Sequence, residues 1–587
     1  MSTQSSSALN RTLQTWLQKV EQGEIKLPRF QRFEAWDSKR ICSLLDAITH
    51  NLPLGATLIH TVGNKEQFIS RYLATAPEAS PNGVNEHLLD GQQRLTTLFL
   101  LTATIRDLTS NKSLKETCEK IIYQNANEFD GTPERIRIIF DIREEVKEFV
   151  NTFIKNTNGT QDSEKLKTVS DKTDDLSIKN MINSIFEIKK YFQNSAVTIE
   201  QFFKFLNNKV ILIYVSSESL EDAFRMFTIL NSRGVKLRNS DILKAENLRL
   251  VSLNNQKKYA KHWEEIENYF KEDFDVFLSH IRTVLVKEKA RLNLYDEYEK
   301  NIYSPKKYIK EEKKYIQQKP LLDKGEPTID FIKNYKKYFD EIFNKEHETT
   351  FGNFKFDNLI SIMQNVLPAD FWIPPLLRFY DKYGEKSLLE FLEKLDNKFS
   401  YDWIIGLTPT SRIENMNNLI KEIDKADKNN VSEIIESEFF KINIENLTRV
   451  ITDDIYGRRF ARYILYKLDY LYGETDKINV PKIITVEHIL PQNPKDDSQW
   501  KNDFSDEERN IWLNKIGNLV LISRRKNASQ GRKDYTEKKE KYFSKNIELF
   551  RNSLRVFNNY TIWNPINIEE NQNEVISKIE EHYRKNE

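Results

Sequence analysis

A long run of helical periodicity, from about residue 256 to residue 440, divides this sequence into three parts. The run is rich in Lys, Glu, Tyr and Phe, has few Gly residues, and contains a Lys-rich stretch around residues 305–319. The whole chain has 587 residues, which is too many for a single hydrophobic core. We therefore predict a helical spacer domain at residues 256–440, between a first domain at 1–255 and a third at 441–587.

The segments on either side of the spacer mix β-like and helical patterns. Before it, short apolar runs such as 210–215 alternate with amphipathic helices such as 95–108. After it, an apolar-periodic helix near 456–472 precedes a β-like stretch at 483–486 and several basic helices. These patterns predict an α+β multidomain protein whose first domain is mixed α+β.

Composition constrains the environment of the protein more than its function. The formal net charge is +1, so any surface that binds nucleic acid must be a local basic patch. The two cysteines, Cys42 and Cys118, exclude a disulfide framework and a four-cysteine zinc site. The N-terminus lacks an apolar signal core, and no stretch reaches the ~18 apolar residues that a membrane span needs. We expect a cytoplasmic protein with no zinc and no membrane partner.

The most specific pattern lies in the third domain. Residues 486–492, Val-Glu-His-Ile-Leu-Pro-Gln, are followed by Ile-Gly-Asn-Leu-Val-Leu at 516–521 and then by Asn527. A β-hairpin that carries Glu487 and His488 can pack against a helix that carries Asn527. This arrangement would bring a carboxylate, an imidazole and an amide around one point.

These groups are the parts of a one-metal phosphodiesterase site. Hydrolysis of a phosphodiester needs a hard cation beside the phosphate, and carboxylate and amide oxygens are the ligands that hold Mg²⁺ or Mn²⁺. It also needs a base near a water molecule, and histidine is suited to accept a proton near neutral pH. A single histidine at a strand end is usually an ordinary hydrogen-bonding residue, but the combination of residues favours a nuclease.

The combination resembles the HNH, or ββα-metal, nuclease family over roughly residues 480–545. The resemblance implies Glu487 as a metal ligand, His488 as the general base, Asn518 as the hairpin residue that orients the base, and Asn527 as the second metal ligand. Two features depart from the family pattern: Glu stands where many members have Asp, and the cysteine pairs that hold a structural zinc are missing. We therefore expect packing alone to hold the hairpin in place.

A basic run follows these residues. Positions 524–545 contain nine Lys or Arg residues and three acidic residues, which is a local charge of about +6. Such a run is usually a solvated helix face, but beside a metal centre it is placed to bind the phosphates that flank the cut. The predicted phosphate contacts are Arg524, Arg525, Lys526, Arg532 and Lys533.

The first domain carries further motifs. Gln31 and Arg32 lie in a Phe-Gln-Arg segment, and residues 90–94 are Asp-Gly-Gln-Gln-Arg, between a β-like pair and a helix. Backbone N–H groups at such a helix start, together with Arg94, form a natural phosphate cradle. Asp90 could hold Mg²⁺, and the glutamine amides could orient a water molecule. The alternative is that Asp90 and Arg94 only cap the helix and pair locally.

Together these motifs resemble the ParB/sulfiredoxin-like N-terminal domain of GmrSD-type restriction enzymes, which are type IV and modification-dependent, over about residues 10–250. The resemblance implies nucleotide binding and hydrolysis coupled to cleavage. The implied nucleotide-binding residues are Gln31, Arg32, Asp90, Gly91, Gln92, Gln93 and Arg94. A third motif, from Phe227 to Lys244, suggests nucleotide or DNA contacts at Asn231, Arg233, Asp241 and Lys244. The alternative is that the segment Asn231-Ser-Arg-Gly is only a turn that caps the end of a helix.

Both ends of the chain indicate a nucleotide sensor fused to a nuclease, which in the GmrSD family cuts modified foreign DNA and defends bacteria against phage. The expected cofactors are Mg²⁺ or Mn²⁺ and a nucleoside triphosphate. The expected partner is double-stranded phage DNA with modified bases or backbone, and a homodimer is compatible with the sequence. Three alternatives stay open: a DNA-binding ParB-like regulator with a vestigial nuclease, a phosphorothioate-sensing defence nuclease, and an RNA-cutting toxin.

Overall fold

The structure is a computed structural model that describes most of the chain in separate ranges. These are residues 7–12, 25–28, 38–50, 56–62, 70–72, 85–88, 92–126, 134–136, 144–173, 175–208, 211–217, 238–252, 254–309, 314–473, 477, 484–523, 531–543 and 550–586. The chain divides into two compact units, formed by residues 1–275 with 322–330 and by residues 276–321 with 331–587. The predicted domain boundaries at 255 and 440 fall inside these units, and the three-domain division stays a prediction.

A six-stranded mixed sheet belongs to the first unit. Its strands are β1 (Ser7–Thr12), β2 (Ile25–Pro28), β3 (Ala56–Val62), β4 (Ser70–Tyr72), β5 (Asn85–Leu88) and β8 (Ile211–Ser217), while β6 (Tyr123–Gln124) and β7 (Arg135–Ile136) form a separate pair. The strand order is β1-β8-β3-β5-β2-β4. β3 and β8 are parallel, as are β2 and β5, and the other neighbours are antiparallel. The strand predicted at 210–215 is confirmed as β8.

The helices of the first unit that precede β8 bury a continuous apolar cluster. They are α1 (Ser38–Thr49), α2 (Gln92–Leu108), α3 (Lys112–Ile122), α4 (Glu144–Phe149), α5 (Ser163–Lys172), α6 (Leu176–Asn194) and α7 (Ile199–Asn208). The helices α8 (Asn239–Leu250) and α9 (Gln256–Phe270) follow β8. α2 packs against α3 and α6 through residues such as Leu101 and Ile182. The predicted helix at 95–108 is confirmed as α2, which begins three residues earlier.

The far end of α2 is fixed by a buried pair of neighbouring charges. Arg106 donates to Asp107 at 2.7 Å and to the main-chain oxygen of Ile154 at 3.0 Å. The Asp107 carboxylate accepts hydrogen bonds from the backbone and the hydroxyl of Thr160, at 3.0 and 2.7 Å. Because each buried charge is hydrogen-bonded, the pair holds α2 against the loop after residue 154. This anchors the helix whose first turn carries Gln92, Gln93 and Arg94.

The second unit is mainly helical. α10 (Phe274–Val286) and α12 (Glu326–Phe343) contribute residues to both units, and the remaining helices are α11 (Leu294–Glu297), α13 (Glu348–Phe351), α14 (Lys355–Val366), α15 (Ile373–Tyr383), α16 (Leu388–Ile404), α17 (Pro409–Lys425), α18 (Ser432–Ile435), α19 (Ile444–Thr452), α20 (Ala461–Tyr472), α21 (Gln499–Asp503), α22 (Asp506–Trp512), α23 (Tyr535–Phe543), α24 (Arg551–Asn559) and α25 (Pro565–Tyr583). Among the described helices, none combines the length and the apolar composition that crossing a bilayer requires.

A buried polar network joins α16 to α20 and α25. Asp396 of α16 accepts hydrogen bonds from Lys467 at 2.5 Å and from the Tyr463 hydroxyl at 2.8 Å, and the side chains of Asp396 and Lys467 are fully buried. The Ser400 hydroxyl lies 2.6 Å from the Tyr583 hydroxyl of α25. Residues assigned by their sequence to the spacer and to the third domain therefore share one core.

Two antiparallel hairpins interrupt the helices of this unit. One joins β9 (Lys306–Ile309) to β10 (Lys314–Gln317), and the other joins β11 (Ile484–His488) to β12 (Leu519–Ser523). The prediction that residues 256–440 are helical throughout is wrong at the first hairpin. Its strands each contain Lys-Tyr-Ile, and tyrosine and isoleucine favour strands over helices. The β-like stretch predicted at 483–486 is confirmed as β11.

Candidate nuclease active site

The β11–β12 hairpin carries the first two predicted site residues. Glu487 lies opposite Val520, and His488 lies opposite Leu519. Successive strand residues point to opposite faces, so the two side chains leave the hairpin in different directions. A buried cluster that includes Leu490, Trp500, Val520, Tyr535 and Trp563 packs around the hairpin. Among the described residues, large aromatic side chains therefore hold the hairpin that carries Glu487 and His488.

His488 is held by two residues that the sequence did not single out. Its side chain is buried, with the residue 6% exposed, and its ring centroid lies 4.1 Å from that of Tyr456. Nε2 lies 3.3 Å from Oδ1 of Asn514. In the tautomer in which Nε2–H donates to Asn514, Nδ1 is the nitrogen that can accept a proton. Burial lowers the pKa of His488 to about 4, so the imidazole is neutral at pH 7.

Asn514 also holds the loop that carries Tyr456. Its main-chain oxygen accepts hydrogen bonds from the N–H groups of Ile455 and Tyr456, at 3.0 and 3.3 Å. The next residue, Lys515, forms salt bridges with Asp453 and Asp454 at 3.5 and 3.4 Å. One short segment therefore positions both the hydrogen-bond partner and the aromatic partner of His488. The sequence offered no pattern for this, because Tyr456 precedes His488 by a helix.

Asn518 has a different role from the predicted one. It is fully buried, and its Oδ1 accepts hydrogen bonds from the Leu490 N–H at 2.8 Å and from the Trp563 indole at 3.3 Å. Its Nδ2 donates to the main-chain oxygens of Leu490 and Leu513, at 3.2 and 2.9 Å. These bonds fix the backbone that follows His488, whereas the imidazole itself is contacted by Asn514. Asn518 thus supports the loop around the base and does not orient the ring directly.

The turn before Asn518 packs closely against the last helix. The Gly517 N–H donates to Gln572 Oε1 at 2.6 Å, and the Gly517 oxygen accepts from Asn571 at 2.6 Å. A β-carbon at residue 517 would lie 2.8 Å from the main-chain oxygen of Ile568. Only glycine leaves room for this approach, so α25 sets the position of the turn that begins β12.

Lys538 is a further residue of the site that the sequence did not predict. Its side chain is fully buried, and Nζ lies 3.1 Å from Oε1 of Glu487 and 2.7 Å from the main-chain oxygen of His488. Burial raises the pKa of Glu487 and lowers the pKa of Lys538, while the attraction between the two groups opposes both shifts. The predicted metal ligand therefore has a buried cation as its neighbour.

The second predicted ligand and three of the five predicted phosphate contacts lie outside the described residues. These are Asn527, Arg524, Arg525 and Lys526. Arg532 is exposed, and Lys533 forms a salt bridge with Glu537 one helical turn away, at 3.1 Å. Within the described ranges, no three His, Cys, Asp or Glu side chains are grouped to hold a metal ion.

The predicted nucleotide-binding motif lies between a strand and the helix that follows it. β5 ends at Leu88 and α2 begins at Gln92, so Gln92 is the first residue of the helix. Gln93 is buried and Arg94 is half-buried in the first turn of α2. The other predicted nucleotide-binding residues lie outside the described part of the chain: Gln31, Arg32, Asp90 and Gly91.

Two of the predicted contact residues in the third motif, Asp241 and Lys244, are described, and both make contacts that stabilise the fold. Asp241 accepts a hydrogen bond from the Arg238 N–H at 3.0 Å and so caps the start of α8. Lys244 is 1% exposed and forms salt bridges with Glu267 and Glu264, at 3.1 and 3.7 Å. These contacts favour the structural interpretation for Asp241 and Lys244. Asn231 and Arg233 lie outside the described residues.

Two family models match the chain on either side of its helical middle. Residues 13–248 match the GmrSD restriction endonuclease, N-terminal domain, and residues 442–578 match the GmrSD restriction endonucleases, C-terminal domain. The chain belongs to the GmrSD restriction endonuclease family. The N-terminal GmrSD match includes β5 and the first turn of α2, and the C-terminal one includes the hairpin with Glu487 and His488. The resemblance predicted from the motifs is confirmed at the level of the family.

A similarity to one curated protein is more limited. The uncharacterized protein MJ0686 of Methanocaldococcus jannaschii is 24% identical over 265 residues. The similarity covers 42% of this chain and 43% of the relative, so less than half of the relative's length is spanned. It adds no residue roles to those that the GmrSD domains suggest.

Proposed function

We propose that this member of the GmrSD family is a metal-dependent DNA endonuclease in which His488 is the general base. The observation that carries the proposal is the contact between His488 Nε2 and Asn514 Oδ1, at 3.3 Å. A neutral imidazole whose Nε2–H is engaged presents Nδ1 as a base, which is what proton abstraction from water requires. The low pKa of His488 keeps the ring in that form at neutral pH.

Glu487 and Asn527 would hold the metal ion. Their carboxylate and amide oxygens suit Mg²⁺ or Mn²⁺ better than they suit zinc. When bound, the ion would neutralise charge that develops on the phosphate. Lys538 prepares this site, because its ammonium group pairs with Glu487 and favours the ionised carboxylate.

The remaining residues of the site orient the base and bind the DNA. Tyr456 packs on the imidazole and Asn514 engages Nε2, so the ring is oriented before substrate arrives. Nδ1 of His488 would then take the proton of the attacking water. Arg532, together with the basic residues at 524–526, would bind phosphates beside the cut. Lys533 would contribute less, because Glu537 already pairs with it.

We propose further that a nucleoside triphosphate is bound and hydrolysed at the start of α2. This nucleotide would regulate the cleavage of modified phage DNA in the cytoplasm. The protein would act as a monomer or a homodimer. Support comes from the connection of β5 to α2, because the positive end of the helix dipole at a helix start favours a phosphate. Gln93 and Arg94 lie in that first turn. Replacing Asp90 with Ala should therefore change nucleotide-dependent cleavage.

The test is cleavage by the full-length chain of genomic DNAs from differently modified phages, with Mg²⁺ and each nucleoside triphosphate in turn. Wild type should cut at least one of these DNAs, and His488→Ala should bind the same DNA without cutting it. Growth arrest on expression without DNA damage would point instead to an RNA-cutting toxin.

A DNA-binding regulator with a vestigial nuclease is the second candidate. The observation that favours it is the burial of the two key groups, because Tyr456 lies against His488 and Lys538 occupies the Glu487 carboxylate. A regulator would bind DNA and leave every DNA of the panel intact with each metal and nucleotide.

A further inference from the structure

We propose that the β9–β10 hairpin is a second DNA-binding element, which contacts the phosphates of duplex DNA through its exposed tyrosine and lysine side chains. The inference extends the proposed function, because it assigns part of the affinity for DNA to a segment outside both matched domains. It starts from the Lys-rich stretch around residues 305–319, which the nuclease site does not use.

The hairpin exposes two aromatic rings side by side. Tyr308 is 46% exposed and Tyr315 is 70% exposed, and they are directly opposite each other in the ladder. Their ring centroids lie 5.1 Å apart. Large aromatic side chains are usually buried, and tyrosines that remain exposed together are typical of binding surfaces.

The two faces of the hairpin differ in exposure. Lys306 lies opposite Gln317 in the ladder, two residues from the tyrosine pair, so both side chains are on the same face as the tyrosines. Both residues are exposed. The other face carries Ile309 and Ile316, which are half-buried, and the exposed Lys307 and Lys314. The two isoleucines are therefore partly covered, whereas the tyrosines of one face and the lysines of both faces are available to solvent.

The charge of the hairpin fits a polyanion. Its eight described strand residues include Lys306, Lys307 and Lys314, all exposed, and no acidic residue. Lysines on short exposed strands also discourage pairing with other sheets. That role does not account for two exposed tyrosines on one face, whereas phosphate binding accounts for both residue types, because lysine and tyrosine side chains both donate to phosphate oxygens.

The base of the hairpin is rigid. The Gln318 N–H donates to the Pro305 oxygen at 2.7 Å, and the Leu321 N–H donates to the Ile302 oxygen at 2.8 Å. Ile302 is itself fully buried. The strands thus start from a fixed position in the second unit, and ordering them on DNA would cost little conformational entropy.

The dimensions and chemistry favour the backbone of a duplex. Paired strands lie about 5 Å apart, and the major groove is about 12 Å wide, so a two-stranded ribbon fits within it. Phosphate contacts position a protein without selecting a sequence. We therefore expect the hairpin to strengthen binding to every DNA duplex, whatever the sequence or modification of that DNA.

The test is fluorescence anisotropy of a labelled DNA duplex with the full-length chain, in the absence of divalent ions, over a series of salt concentrations. The triple variant Lys306→Gln/Lys307→Gln/Lys314→Gln should bind more weakly and should reduce the slope of log affinity against log salt by up to about 2.7. Tyr308→Ala/Tyr315→Ala should weaken binding with a nearly unchanged slope. The control Lys337→Gln/Lys345→Gln/Lys428→Gln removes the same charge from exposed helix and loop positions of the same unit.

The outcomes separate this inference from the proposed function. Equal affinity losses in the hairpin and control triples, with circular dichroism confirming folding, would overturn the hairpin as a DNA contact. Cleavage of phage DNA by wild type in that case would leave the proposed nuclease intact. Binding that depends on the hairpin in a chain that never cuts would support the hairpin and contradict the nuclease. Competition by duplex RNA as strong as by duplex DNA would overturn the assignment to DNA.

Discussion

The ammonium group of Lys538 lies 3.1 Å from the Glu487 carboxylate and 2.7 Å from the main-chain oxygen of His488. One buried cation therefore contacts both residues at the end of β11. Removing one member of a buried ion pair leaves the other charge uncompensated, which costs more than the pair itself contributes. Lys538 is thus a residue on which both the stability of the hairpin and the ionisation of the predicted metal ligand depend.

Lys538→Met should lower the free energy of unfolding by about 3 kcal/mol, because it leaves Glu487 without its partner. If Glu487 holds a metal ion, Mg²⁺ should restore part of this loss by supplying the missing positive charge. Thermal unfolding with and without Mg²⁺ measures both effects. The control is Glu487→Gln/Lys538→Met, whose Tm should not respond to Mg²⁺. An equal Mg²⁺ response in both variants would contradict the assignment of Glu487 as a ligand.

Asn514→Leu should reduce cleavage about 10-fold, since partners that orient a functional histidine typically contribute that much. Asn514→Asp should instead raise the pKa of His488, because a carboxylate stabilises the protonated ring. The base must be neutral, so the acid limb of the cleavage rate should move to higher pH in Asn514→Asp. Because the pKa of His488 is about 4, rate profiles from roughly pH 3.5 to pH 7 would show a shift of this limb on the order of one unit. An unshifted limb would indicate that Asn514 only supports the fold.

Gly517→Ala should destabilise the protein by ~1–3 kcal/mol, because the added β-carbon overlaps Ile568 and Gln572 of α25. It should also slow cleavage, since the displaced turn carries Asn518. Gly406→Ala is the matched control: Gly406 has a positive φ of 87° but open space around it. The control should lose some stability through its backbone alone and keep its cleavage rate. Urea unfolding and cleavage assays on both variants make the comparison.

Asp469→Asn should stabilise the protein more at pH 8 than at pH 5. Burial raises the pKa of Asp469 to about 7, although its carboxylate accepts the Asn552 N–H at 3.0 Å. A raised carboxyl pKa stabilises the fold fully below the unfolded value, and this contribution is lost as pH rises towards 7. Asparagine keeps the acceptor oxygen and has no charge to bury. Tm values of both proteins at the two pH values test this, and a gain independent of pH would contradict it.

Local patterns predicted the parts of the fold that local forces determine. The helix α2, the strand β8 and the hairpin strand β11 follow from the spacing of apolar residues. The β9–β10 hairpin was missed because its lysines and glutamates match an exposed helix as well as a ribbon. Only the repeated Lys-Tyr-Ile in its two strands favours the ribbon.

The site residues that are adjacent in the sequence could be predicted, whereas those that come from distant parts of the chain could not. Glu487 and His488 stand together in the sequence, so their chemistry could be inferred directly. Tyr456, Asn514 and Lys538 come to them from other elements, and packing alone makes them neighbours. The role of Asn518 was carried over from the resemblance to HNH nucleases, but its amide is hydrogen-bonded to the backbone of Leu490.

The network between α16 and α25 bears on where the second unit of this chain can be cut into a stable fragment. A fragment beginning at residue 441 would leave Lys467 in an apolar interior without Asp396, and it would strip Asn586 of its bond to Asn397, which is 3.0 Å long. Such a fragment should misfold or aggregate. The smallest fragment that carries Glu487 and His488 and still folds should therefore include α16, so evolution could transfer this region between proteins only together with that helix.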